Sequence, residues 1–171
     1  MAEIIVLRLI HVLGGIFWVG SALFNSFYVF PALAAAGPAA GAIMGSMQRR
    51  RLFVVLPAVA LLTILSGLRL MDLTSGGFAA AYFSTGRGVT FAASGSAAII
   101  AFLVGVFVGR PTGVRLARLR QSAAATQDPE SRARLSAEAD VLQRRSVVLG
   151  YVLNTLLILA AAGMAAGRYV P

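Results

Sequence analysis

The chain has no cysteine and no lysine, one histidine, and only six acidic residues among 171. Without cysteine there is neither a disulfide framework nor a thiolate metal site, and the redox compartment leaves no trace. Without lysine every basic side chain is an arginine, which does not readily release a proton. Few carboxylates and a single imidazole leave little material for acid–base catalysis. Apolar surface, by contrast, is abundant: 58% of the residues are hydrophobic and 12% charged, with a mean hydropathy of +0.83. That is too apolar for a soluble domain of this size and puts the chain in a membrane.

Four stretches are long enough to cross a hydrocarbon core of about 30 Å, which takes about 20 residues of helix. They run over Ile4–Phe30, Leu52–Met71, Gly88–Gly109 and Val147–Gly167. The expected fold is all-α, a single-domain integral membrane four-helix bundle. The first stretch reads as a retained span and not as a secretory signal, because Glu3 replaces a basic cluster and the apolar run is too long.

The formal net charge of +9 would suggest nucleic acid in a soluble protein, but here its distribution sets topology instead. Arg49, Arg50 and Arg51 lie between spans one and two, and eight more arginines from Arg110 to Arg145 lie between spans three and four. Arg8, Arg69, Arg87 and Arg168 fall at the opposite ends. The positive-inside rule then predicts an inner (cytoplasmic) membrane protein with both termini and the 72–87 loop outside, and no nucleic-acid partner.

The connections have their own patterns. "PALAAAGPAAGAIMGSMQRRR" reads as a turn at its prolines and glycines, then a short interfacial helix anchored at headgroups by its arginines. Met44 and Met47, three apart, form a thioether pair with no histidine or cysteine nearby. In the outer loop Phe78, Tyr82 and Phe83 suit aromatic anchoring at the interface. Residues 110–146 read as an antiparallel helical hairpin, with Leu116, Leu119, Leu135 and Leu142 as its apolar points and "TQDPES" as its turn.

Polar groups within spans cost free energy unless paired, so each is a candidate site. His11, Gly14, Trp18, Ser21, Asn25 and Tyr28 recur every three or four residues and share one face, which should look into the bundle. Gly150, Asn154, Ala161, Met164 and Arg168 make a stripe on span four, and Asn25 and Asn154 fall at similar depth, within reach of a hydrogen bond. Thr90, Ser94, Ala98, Ala101 and Gly105 form a small-residue seam on span three. Pro57 is placed to kink span two.

At the outer end Arg8, His11, Arg69, Arg87 and Arg168 are expected to converge, and "STGRG", Ser84 to Gly88, opens span three as a helix N-terminus that favours anions. A flat ligand with carboxylates matches such a site. His11 would ligate a metal or carry a proton, Arg8 and Arg87 would hold carboxylates, and Trp18 would wall the ring. Haem b fits this description. With a single histidine, a bis-histidine cytochrome within one chain is excluded. The competing reading has the arginines snorkelling to headgroups and the histidine bonded to a neighbouring helix.

His11, seven positions before Trp18 and followed by "VG" and a long apolar tail, resembles the first helix of the CopD-like copper-resistance membrane proteins and the related HemJ-type protoporphyrinogen oxidases. A basic residue opening span three and "MAAGRY" closing span four add to the likeness. The resemblance implies a four-helix membrane bundle in which His11 is a haem ligand. The position matching the HemJ-type lysine is Arg87, and an arginine there speaks against oxidase chemistry. The copper-resistance members imply copper handling.

Three functions follow as expectations. The first is a haem- or macrocycle-binding protein using His11, Arg8, Arg87 and Trp18, with the iron five-coordinate, differently ligated or shared between subunits. The second is a non-enzymatic accessory or assembly subunit of a membrane complex or homo-oligomer. The third is copper handling or transport. Whether the chain is an enzyme is left open by its residues.

Overall fold

The computed structural model describes residues 1–171, apart from the side chain of Pro38. Four helical segments are long and apolar enough to cross a membrane: Ala2–Ala35, Leu52–Ser75, Gly86–Ala125 and Pro129–Tyr169. The protein is therefore a multi-pass, all-α membrane protein. Its helices are α1 (Ala2–Phe24), α2 (Phe30–Ala35), α3 (Ala40–Arg49), α4 (Leu52–Ser75), α5 (Ala80–Phe83), α6 (Gly86–Val104), α7 (Arg110–Ala125) and α8 (Pro129–Ala166).

Two helices run further than prolines would suggest, and for one reason. A proline ring clashes with the carbonyl four residues earlier and removes a hydrogen bond. Immediately before Pro31 the chain makes a wide π-helical turn over Asn25–Val29, and immediately before Pro111 it makes another over Gly105–Gly109. Phe30 N–H bonds the Asn25 carbonyl and Arg110 N–H bonds the Gly105 carbonyl, so the helix passes each proline without breaking. The extra residue in such a turn also rotates everything beyond it by about 100°. Tyr28, expected on the inward stripe, is 68% exposed for this reason and packs on Phe24.

The chain forms two compact units. The first, residues 1–102 with 154–171, is the four-helix bundle. Its buried residues are mostly small or polar: Ala60, Thr63, Ser66 and Ser75 on α4, Ser94 and Ala101 on α6, and Asn154 and Ala160 on α8, with Leu33 and Leu157 as larger apolar members. Small residues let helix axes approach where lipid offers no hydrophobic driving force between helices. Gly163 meets the Ser94 hydroxyl, and a Cβ on Gly167 would lie 2.8 Å from the Phe91 ring. The buried face of α8 thus follows Asn154, Leu157 and Ala160 and continues to Gly167 in the turn beyond it, whereas Ala161 is exposed.

One end of α4 is tied to α1 by charge. Arg69 bonds Glu3 at 2.9 Å and Asp72 at 2.6 Å. The helix then stops at Gly76 and Gly77, both with positive φ, and Gly77 N–H caps the Asp72 carbonyl at 2.9 Å. Glycine adopts this left-handed backbone at little cost.

The second unit, residues 103–153, is a helical hairpin. The turn lies at residues 126–128, where "TQDPES" places it. Arg115 pairs with Glu138 across the hairpin at 2.6 Å. Asp128 begins α8 as its cap, accepting from Ser131 N–H at 2.9 Å. The hydrogen bonds from Ser131 hold the Asp128 carboxyl below its ordinary range. A depressed carboxyl adds stability that is fully present above the ordinary aspartate range and is lost as pH falls through the folded value. Asp128→Ala is accordingly expected to speed amide exchange at Ser131 relative to wild type near neutral pH, with the difference vanishing in acid. An equal ratio at both pH values would remove the carboxylate from this role.

Candidate functional site

The site is organised where α1 meets α4, through a reciprocal fit of two glycines. Gly14 of α1 lies against the Thr63 hydroxyl, and Gly67 of α4 lies against the His11 ring. A Cβ on Gly67 would stand 2.6 Å from His11 Cε1, so only glycine leaves room for the imidazole. His11 Nδ1 bonds the Thr63 carbonyl oxygen at 2.7 Å. A carbonyl only accepts, so Nδ1 carries the proton, and in the neutral ring Nε2 keeps its lone pair. The same Thr63 carbonyl takes a bond from the Ser66 hydroxyl at 3.0 Å, and Thr63 Oγ1 donates to the Val59 carbonyl at 2.8 Å.

This arrangement matters chemically because a metal-ligating histidine is commonly oriented in this way, with its other N–H donated to a backbone carbonyl. His11 lies eight residues beyond Glu3, about 12 Å along the helix. A cavity of about 50 Å³ opens beside it, bounded by His11, Trp18, Gly67, Met71, Gly95 and Met164, among others. Trp18 is held in place by an edge-to-face contact with Phe102, with ring centroids 6.3 Å apart. All four helices of the bundle supply part of the wall. No signal in the sequence tied Met71 or Met164 to His11: they lie 60 and 153 positions away.

The basic side chains do not converge on this cavity. Arg8 is exposed, as is Arg87, which donates to the Arg168 carbonyl at 3.3 Å. Arg69 is occupied by Glu3 and Asp72, and Arg168 folds over the Tyr169 ring. The N-terminus of α6 is also already served: Thr85 Oγ1 accepts from Gly88 N–H at 3.0 Å. Of the expected ligand set, His11 and Trp18 are brought together, while Arg8 and Arg87 stand apart from them. Met44 and Met47 lie on α3, outside the cavity lining.

Pockets for drug-sized ligands span about 300–1,000 Å³, and this cavity measures about 50 Å³. It exceeds the roughly 10–15 Å³ that one water needs, and would hold a single ion with little else. Among the described residues no three His, Cys, Asp or Glu side chains gather in one place. A set of carboxylate or thiolate donors is therefore not gathered among the described residues.

Asn154 adds a second polar feature inside the bundle. It is 4% exposed, and its Nδ2 has no hydrogen-bond partner. The expected bond to Asn25 is not formed, and Asn25 instead begins the π turn, with its carbonyl bonded to Phe30 N–H.

Fold and site together define a multi-pass helical membrane protein with one imidazole on the wall of a small, mostly apolar cavity that Met71 and Met164 also border. No protein-family model, curated protein or solved structure matches the chain.

Proposed function

We propose that the protein binds copper(I) inside the membrane, with His11 Nε2, Met71 and Met164 as donors. The observation that carries this reading is the composition of the cavity wall: one imidazole fixed through Nδ1 and two thioethers from different helices. Thioether and imidazole are neutral, soft donors that suit copper(I). A monovalent ion with neutral ligands also carries the smallest charge into a medium where charge is expensive. Trp18 borders the same cavity, and an indole ring attracts a cation placed over its face, the more so on desolvation. The resemblance of the first helix to CopD-like proteins agrees with copper handling. The HemJ-type alternative, haem on His11 with Arg8 and Arg87 at its carboxylates, needs a larger cavity than about 50 Å³ and arginines brought to its wall, so copper is the reading the lining favours.

The arginine distribution supports an orientation with the hairpin and residues 49–51 in the cytoplasm and both termini outside. His11 then sits in the outer half of the bilayer.

Metal analysis of the detergent-purified protein, loaded with copper under reducing conditions, tests the proposal. The expected result is one copper per chain, none in His11→Ala, and about tenfold weaker retention against a chelator in Met164→Leu and Met71→Leu, swaps that conserve volume. Retention of copper by His11→Ala would overturn it. A Soret band that disappears in His11→Ala would replace copper by a macrocycle, and a metal-free protein that copurifies with other subunits would replace it by an accessory role.

A further inference from the structure

The hairpin carries a polar groove of its own. Arg120 on α7 and Arg132, Ser136 and Asp140 on α8 border a space of about 320 Å³. Its floor is alanine: Ala123 and Ala139 are 8% and 2% exposed. Alanine reaches no further than a methyl group, which leaves space between the two helices at these positions. Each guanidinium is steadied by one of its N–H groups. Arg132 donates to the Thr126 carbonyl at 2.8 Å, and Arg120 donates to Gln143 Oε1 at 3.3 Å. Both acceptors are uncharged, so the cations keep their charge and the rest of their donor fork for a ligand. Arg115, by contrast, is neutralised by Glu138.

The fourth member of the groove is the informative one. Arginines outnumber acids eight to four over residues 110–145, and yet Asp140 enters no ion pair among the described residues. The groove thus offers two steadied cations and an unpaired carboxylate on one wall. A polyanion such as nucleic acid would meet repulsion at Asp140. A ligand with a phosphate at one end and an ammonium at the other would satisfy both.

We propose that this groove binds an aminoethyl phosphate unit, with the phosphate on Arg120, Arg132 and the Ser136 hydroxyl and the ammonium on Asp140. Arginine forks recognise phosphate through paired N–H donors. The volume falls at the lower end of the range for small-ligand pockets, about 300 Å³. The same chemistry occurs in a free phosphate ester and in the headgroup of an aminophospholipid.

The test uses the full-length protein in nanodiscs of phosphatidylcholine, whose quaternary ammonium has no N–H to donate. Calorimetric titration with O-phosphoethanolamine is expected to give saturable binding, one per chain, about tenfold tighter than inorganic phosphate. Arg120→Gln and Arg132→Gln each weaken both ligands by about tenfold or more. Asp140→Asn abolishes the preference, so that the two ligands bind alike. Arg134→Gln, on the same hairpin but outside the groove lining, leaves binding unchanged. These side chains are exposed, so folding is not at stake. Nanodiscs containing phosphatidylethanolamine distinguish the sources: competition with the soluble ester identifies the headgroup as occupant, and its absence identifies the free ester. No saturable binding, equal binding of phosphate and phosphoethanolamine by the wild type, or equal losses in Arg134→Gln and Arg120→Gln would overturn the proposal.

Discussion

Alanine at position 67 is expected to destabilise the bundle by about 1–3 kcal/mol, the usual cost of forcing atoms into a packed interior. The added Cβ would stand 2.6 Å from His11 Cε1 and 2.9 Å from Nδ1, inside van der Waals contact. The ring has no inexpensive escape. Swinging away breaks the bond from Nδ1 to the Thr63 carbonyl, and sliding α1 off α4 loosens Gly14 from Thr63 as well. A lower unfolding midpoint in mixed micelles measures the effect. The mechanism makes a sharper demand on a double-mutant cycle. In a His11→Ala background there is no ring for the methyl to meet, so Gly67→Ala should cost little, leaving a coupling of about 1 kcal/mol or more between the two sites. Additive effects would mean that His11 is not seated on Gly67. The cycle also separates packing from ligand binding, because it is measured without copper.

Leucine at position 154 is expected to do the opposite and raise stability by about 1–3 kcal/mol, the cost of a buried polar group without a partner. Asn154 is 4% exposed and its Nδ2 makes no hydrogen bond. Leucine is close to asparagine in shape and needs no partner, which matters where no water is present to supply one. The same unfolding measurement applies. A loss of stability in Asn154→Leu would show that the amide is paired in the bilayer and would remove it from the unsatisfied groups of the bundle.

The residues around His11 show where sequence reading succeeds and where it stops. The inward stripe from His11 to Asn25 follows from helical periodicity alone, and it holds until the π turn, where one additional residue carries Tyr28 outward. Pro31 and Pro111 signal an interruption, but the sequence pattern does not distinguish a break from a wide turn that keeps the helix going. Of the five basic residues assigned to one end, Arg69, Arg87 and Arg168 lie toward helix ends while His11 sits within α1, and their partners differ: Glu3 and Asp72 for Arg69, a carbonyl for Arg87, an aromatic ring for Arg168.

Hydropathy, charge and turn chemistry acted residue by residue, and they were enough for four spans, an all-α bundle and a hairpin with its turn within residues 126–131. The seating of His11 on Gly67, the gathering of Met71 and Met164 beside it, and the dispersal of the arginines came from the packed molecule alone. Preference for lipid or water belongs to each side chain and can be read one at a time. Contact between helices depends on how each rod is rotated and how far it slides against the next, and a single inserted residue changes both without altering composition.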